Sequence, residues 1–344
     1  MENLIFVSAA TFCLILSVGS QMDRTNTRAH PGSTANQPSD HHPNLINPEQ
    51  VWLDDRGQPI QAHGGGIIRV NGVYYWFGED RSVEIDPYER DINCYLSTDL
   101  MNWKFVSRAF VLHDLYGFGK GWALERPKVF YNRTSDKYVM YSHIDDRKYD
   151  FQSIAVSESD SIGGPYRFLR TFRPFGNESG DIGQFVDQND QQYLISSGQN
   201  GLYIYELAED KLDVKRQVVF FPETFEAGAL ARYKGRYYLV ASDKTLWKPN
   251  PNQYATADKL EGPWSEFKNI APPEVNTYGS QSSMLLQING VQTSQLLFMG
   301  DKWNSTNLYA STYNWMPLQV HGSDVALPPP TPWRIDVKTG VVSH

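Results

Sequence analysis

The chain has 344 residues, enough for one large domain or two smaller ones with a sizeable core. Its formal net charge is -8 and its 31 Lys and Arg residues are scattered, which excludes the basic footprint of a nucleic-acid partner. Tyr 20, Phe 17 and Trp 9 make it aromatic-rich, a composition that suits both β-structure and carbohydrate-binding clefts.

Residues 1–20 contain an apolar run from Leu4 to Val18, then Gly19-Ser20 and the polar Gln21-Met22-Asp23-Arg24. A run of that length fits a signal-peptide core better than a membrane span, so a secreted, extracellular protein free of the membrane is expected. Glu2 stands where a Lys or Arg is usual, and a signal anchor is the alternative. Residues 21–45 are Thr, Asn, Pro, Ser and His with almost nothing to bury, and they read as a disordered linker. His30, His41 and His42 lack acidic or cysteine partners at ligand spacing, and no metal or cofactor is expected anywhere. Cys13 would leave with the signal, which makes Cys94 a lone, small, buried apolar residue in a strand-like run. Asn132, Asn177 and Asn304 head acceptor triplets compatible with a secreted glycoprotein.

From Val51 onward the pattern is period-two strands and turn residues, without a long amphipathic helix. Five hairpins align, over residues 65–79, 126–145, 183–197, 226–243 and 281–301. Asn71-Gly72 in the first lies between apolar runs and predicts a tight turn with positive φ at both positions. A second strand pair follows each hairpin and also rhymes, as Gly164-Pro165-Tyr166 does with Gly262-Pro263-Trp264. In the fifth unit that pair is expected from Leu308 to Thr312 and from Trp315 to Leu318. Four strands per unit, five times, predict an all-β, five-bladed β-propeller over residues 46–344, with a two-domain sandwich as the rival. Trp333 to Val337, with Val341-Val342, is a candidate closing strand.

The first strand of each propeller blade lines the central channel, so polar residues at the leading ends converge although far apart in sequence. Those residues are His63, Glu125-Arg126, Asp181, Glu226 and Ser280-Gln281. Three carboxylates meeting in one funnel repel one another, which keeps one of them protonated near neutral pH. A proton-donating acid opposite a water-activating group is what glycoside hydrolysis requires. Trp122, Tyr149, Trp247 and Tyr278 are placed to stack on sugar faces, although propeller packing is the plainer reading of any one.

Several motifs together resemble the family 43 glycoside hydrolases, most closely their exo-β-1,3-galactanase branch. They are Ala62-His-Gly-Gly-Gly66, Tyr74-Tyr-Trp-Phe-Gly-Glu79, Glu125-Arg-Pro-Lys128, Glu226-Ala227, Trp247-Lys-Pro-Asn-Pro-Asn252, Gly262-Pro-Trp264 and Ser280-Gln281. The resemblance implies a five-bladed fold and an inverting exo-glycosidase that takes terminal galactose from a β-1,3-galactan polysaccharide; separately, a monomer is expected. The resemblance also implies the general acid at Glu226, an electrostatic and sugar-holding role for Glu125, and acidic site positions at Glu79 and Asp181; with these, the aromatic residues Tyr149, Trp247 and Tyr278 are the candidate substrate contacts. The Asp base usual in the family has no counterpart around His63, which reads as the floor of the sugar pocket. Gln281 takes the base's place, either positioning water or acting through its imidic-acid form. Two departures stand out: Gly228 where the branch has Pro, and Gly180 where it has Arg before the third-blade Asp. They motivate two alternatives, an arabinofuranosidase or β-xylosidase specificity, or an inactive glycan-binding propeller.

Overall fold

The computed structural model describes residues 45–82, 91–112, 118 and 121–344. The expected signal peptide, and the expected linker up to residue 44, lie outside the described residues.

Four sheets have four antiparallel strands each, in simple up-and-down order. The first holds β1 (His63–Val70), β2 (Val73–Asp80), β3 (Asp91–Ser97) and β4 (Lys104–Phe110). The second holds β5 (Ala123–Asn132), β6 (Lys137–Asp145), β7 (Ser153–Ser159) and β8 (Arg167–Phe172). The third holds β9 (Ile182–Val186), β10 (Gln192–Gly198), β11 (Gly201–Leu207) and β12 (Val214–Phe221). The fourth holds β13 (Phe225–Tyr233), β14 (Arg236–Asp243), β15 (Gln253–Ala257) and β16 (Lys268–Asn269). The leading strands β1, β5, β9 and β13 meet around a central channel together with β17 (Gln281–Asn289), which completes a five-bladed β-propeller.

The turn chemistry explains the hairpins. Asn71 and Gly72 have φ of 51° and 83°, as a primed two-residue turn requires, and Lys234-Gly235 repeats the device at 48° and 87°. Burial falls outward: β10 and β11 are buried along their whole length, whereas the rim strands β4 and β12 expose much of theirs.

The fifth blade departs from expectation. It has three strands, β17, β18 (Ser294–Lys302) and β19 (Thr312–Pro317), because pairing with β18 begins only at Thr312. Leu308–Ala310 forms a 3-10 turn instead of a strand. Two separate hairpins follow, β20 (Gln319–His321) with β21 (Asp324–Ala326) and β22 (Arg334–Asp336) with β23 (Val341–Ser343). The expected closing strand therefore pairs with itself; Pro328, Pro329, Pro330 and Pro332 lack the N–H groups that would carry a ladder up to it.

The ring is closed instead by side chains and one bridge. Ile46 and Trp333 exchange backbone hydrogen bonds of 2.6 and 3.0 Å. The Tyr313 hydroxyl accepts from the Ala62 N–H at 2.9 Å and donates to the Ile60 carbonyl at 2.9 Å, which ties the fifth blade to the first. Trp76 packs on Trp103 and Trp315 with centroids 5.1 and 4.6 Å apart, inside a cluster that also buries Trp333. Burial of each such ring contributes about 1.5–3 kcal/mol.

Gly228 is accounted for by packing. A Cβ there would meet Ile195 Cγ2 at 2.5 Å, and the Gly228 carbonyl already fills the space a Cβ on Gly183 would take. The position thus mates the third and fourth blades, and its difference from the branch pattern leaves the neighbouring carboxylate in place. Gly228→Ala is expected to destabilise the fold by about 1–3 kcal/mol through overpacking, read by thermal unfolding. Combined with Ile195→Ala it should cost less than the sum of the two single changes.

Candidate active site

Four of the five leading strands carry a β-bulge directly after their first residues, between His63 and Gly66, Glu125 and Lys128, Glu226 and Ala229, and Ser282 and Met284. In three of them the residue after the first has left-handed φ: 58° at Gly64, 50° at Arg126 and 56° at Ala227. A bulge re-aims the side chain beside it, and non-glycine residues held at positive φ mark a position the surroundings over-determine. Glycine is required at position 64, where a Cβ would come within 2.5 Å of Glu79 Oε1.

The bulges direct Glu125, Arg126, Glu226 and Gln281 into one mouth of the channel, around a cavity of about 300 Å³. Glu79, Tyr149, Asp181, Lys244, Trp247 and Trp303 complete most of its wall. Arg126 is the hub. Its Nε lies 2.7 Å from Asp181 Oδ2, its Nη2 donates to Gln281 Oε1 at 2.6 Å, and its Nη1 donates to the Ser282 carbonyl at 3.0 Å. Its backbone N–H donates to Glu79 Oε1 at 3.0 Å. One residue thus touches the first, third and fifth blades from the second.

Arg81 forms a second node. Its guanidinium pairs with Glu79 and lies 3.2 Å from Glu125 Oε1. It also lies 4.9 Å from the Trp247 ring centre, and Trp247 meets Trp303 edge-on at 4.9 Å. The Tyr149 hydroxyl donates to Glu125 Oε1 at 3.1 Å. His143 stands between Glu125 and Asp145, at 3.4 and 2.9 Å.

Burial sets the protonation of this site. It pushes the Glu226 carboxyl up to about 8, helped by the charge of Asp181 and opposed by Arg126, Lys244 and the Gln281 amide. The repulsion expected from sequence is present, but desolvation is the larger cause. Glu79 is raised to about 7, again by burial first, with Arg81 opposing and Glu125 adding. Burial works against a charged His143, yet the bonds to Asp145 and Glu125 win and hold it up at about 10. Lys128, fully buried, is lowered to about 7 by burial and by Arg126; its Nζ donates to the Gly64 and Gly65 carbonyls at 2.7 and 2.8 Å. Among the described residues no group of three His, Cys, Asp or Glu side chains is placed to hold a metal ion.

The sequence pattern of glycosyl hydrolases family 43 matches residues 61–284. The chain belongs to glycosyl hydrolases family 43. No curated protein matches it. Among solved structures, an exo-β-1,3-galactanase from Phanerochaete chrysosporium, in complex with β-1,3-galactotriose, is 33% identical; the match has a TM-score of 0.82 and covers 87% of this chain and 70% of that one. An exo-β-1,3-galactanase from Clostridium thermocellum is 30% identical with a TM-score of 0.80, over 88% of this chain and 68% of the other. A family 43 β-1,3-galactosidase in complex with galactodeoxynojirimycin is 32% identical with a TM-score of 0.75, over 82% and 97%. The protein is thus a glycosidase of family 43.

In this family 43 enzyme, seven of the nine expected site residues line the cavity: Glu79, Glu125, Tyr149, Asp181, Glu226, Trp247 and Gln281. Asp181 arrives despite Gly180 before it, held by Arg126. His63 and Tyr278 lie elsewhere, which corrects the expectation for both. The bulge after His63 turns its ring behind the wall, where it is wholly buried, stacks on Tyr313 at 4.9 Å and meets Asp301 at 3.2 Å. Tyr278 sits in a left-handed segment, φ 53°, and packs on the main apolar cluster. Trp122 is likewise packing, 5.0 Å from both Phe118 and Phe151. Cys94 is buried and free, as read from the sequence.

Missed were Arg81, His143, Asp145, Lys244 and Trp303. Antiparallel register was the available signal. In three blades the site residue near the start of the leading strand faces a residue near the end of its partner, Glu125 opposite His143, Glu226 opposite Ser242, and Gln281 opposite Asp301.

Proposed function

We propose that this enzyme removes terminal galactose from β-1,3-galactan chains, exo-acting and with inversion, after secretion through its amino-terminal apolar segment. The observation that carries the chemistry is Glu226, a carboxyl raised to about 8 in a cavity wall that also holds the paired carboxylates Glu125 and Asp181. An acid that keeps its proton at neutral pH beside carboxylates held by arginines matches the division of labour in glycoside hydrolysis. In this reading Glu226 protonates the glycosidic oxygen. Glu125, fixed by Arg81 and Tyr149, and Asp181, fixed by Arg126, face the sugar and its water. Trp247 and Trp303 offer aromatic surface to the ring. The solved relatives named for exo-β-1,3-galactanase activity support galactose and the β-1,3 linkage.

The test is a panel of β-1,3-, β-1,4- and β-1,6-linked galactans, with an arabinofuranoside and a xyloside, followed by NMR of the released sugar. Free galactose from the β-1,3 chain alone, first seen as the α anomer, is the expected result. Release of arabinose or xylose, or no release from any β-galactan, would overturn the proposal.

A further inference from the structure

Asp145 closes β6 and is wholly buried, and its two carboxylate oxygens serve different neighbours. Oδ1 accepts backbone N–H bonds from Asp146 at 2.9 Å, Phe151 at 2.9 Å and Gln152 at 3.1 Å, so residues 146–152 wrap around it. Two residues of that loop, Tyr149 and Gln152, have φ of 58° and 30°, a backbone that persists only where its surroundings over-determine it. Oδ2 lies 2.9 Å from His143 Nε2. A carboxylate only accepts, so that ring nitrogen carries a hydrogen.

Both connections end on Glu125. The loop delivers the Tyr149 hydroxyl to Glu125 Oε1 at 3.1 Å. His143, directly opposite Glu125 in the β5–β6 register, sets Nδ1 3.4 Å from Glu125 Oε2. A bare Nδ1 would aim its lone pair at a buried carboxylate, whereas a protonated one pairs with it. The ring is therefore an imidazolium between two carboxylates. We propose that Asp145 and His143 are positioning residues for Glu125: the charged ring, braced by Asp145, anchors Oε2 and keeps the carboxyl ionised, while the Asp145 loop sets Tyr149 on Oε1. This rests on the proposed glycosidase roles, in which Glu125 faces the sugar as a carboxylate. From the first blade Glu125 is faced by Arg81, which also pairs with Glu79, and at longer range by Glu79 itself. Because Arg81 divides between two carboxylates, loss of the ring's charge must move the titration of Glu125 up.

The experiment compares wild type with His143→Gln and Asp145→Asn on an aryl β-galactoside across pH. Asparagine still accepts the three loop N–H bonds, but its amide nitrogen donates toward the ring, which turns Nε2 into an acceptor and leaves a neutral imidazole. In both variants the acidic limb of kcat/KM, where Glu125 gains its proton, should move up by about 1–3 pH units. The alkaline limb should stay, because Glu226 answers to Asp181, Arg126, Lys244 and Gln281 rather than to this pair. A merely structural role lowers activity at every pH and leaves both limbs in place. An unmoved acidic limb, or two limbs that move together, would overturn the inference.

A second readout needs no turnover. Nitrogen NMR of histidine-labelled wild type, with His143 assigned by its change in either variant, should show both ring nitrogens protonated at neutral pH. A neutral ring there would also overturn it. A wild type inactive on every β-galactoside would count against the proposed function instead, and the ring's protonation then decides whether Asp145 and His143 hold Glu125 in this way.

Discussion

Glu226→Gln is expected to lower release of galactose from β-1,3-linked chains by about 10²–10⁴-fold, the usual contribution of a positioned acid, with the fold intact. The amide is close in shape and removes only the transferable proton. On an aryl galactoside with a good leaving group the loss should shrink to within about tenfold, because that bond breaks without protonation. The pH profile supplies the sign. Burial raises the Glu226 carboxyl to about 8, so the acid is protonated below that pH and activity falls as pH rises through it. In Glu226→Gln that alkaline limb should vanish from the residual activity on the aryl substrate. Undiminished hydrolysis of galactan by the variant, with the limb retained, would remove Glu226 from the role of acid.

That a half-buried carboxyl stays protonated follows from its position on the fold, and that position was partly legible beforehand. Strand periodicity and the Asn71-Gly72 turn carry the propeller, because period-two burial and positive φ are local properties. Convergence of Glu125, Asp181, Glu226 and Gln281 follows once leading strands are known to face a channel. Less legible was direction. A bulge of one residue decides whether a side chain enters the cavity or turns behind it, and His63 turned behind. The outgoing ends of the second strands were also passed over, although cross-strand register sets Glu125 opposite His143 and Gln281 opposite Asp301, two residues before Trp303.

The departures in the sequence resolve differently. Gly228 is matched by Ile195 and Gly183 across a blade boundary, a tertiary pairing that no local pattern reveals. At Gly180 a Cβ would meet Ser197 Oγ at 3.2 Å and the Ser197 carbonyl at 3.7 Å, so a side chain fits there if the Ser197 hydroxyl gives by a few tenths of an ångström. Arg126 holds the adjacent Asp181 in its place. Asp181 is thus held by a second-blade cation even though no arginine directly precedes it on the third blade.

Arg126→Met is for this reason expected to be the most damaging single change outside the acid itself. The methionine fills much of the volume but deletes three hydrogen-bonding contacts at once. Asp181, the Ser282 carbonyl and Gln281 Oε1 would each lose a partner in a water-poor site. Breaking a buried ion pair from one side costs about 3–5 kcal/mol, because the remaining charge stays desolvated. A midpoint drop on the order of 10 °C is the thermal equivalent for a domain of this size. Activity should fall further than stability does. Gln281 loses one of the two donors that orient it, and Glu226 loses a positive charge that lowers its titration. The alkaline limb of whatever activity survives should therefore move to higher pH. Arg126→Lys retains the charge but not the fork, since a single ammonium cannot reach Asp181, Gln281 and Ser282 together. It should recover part of the thermal midpoint and little of the activity. Equal recovery of both would show that Arg126 contributes only charge, and that the geometry it imposes on Gln281 is dispensable.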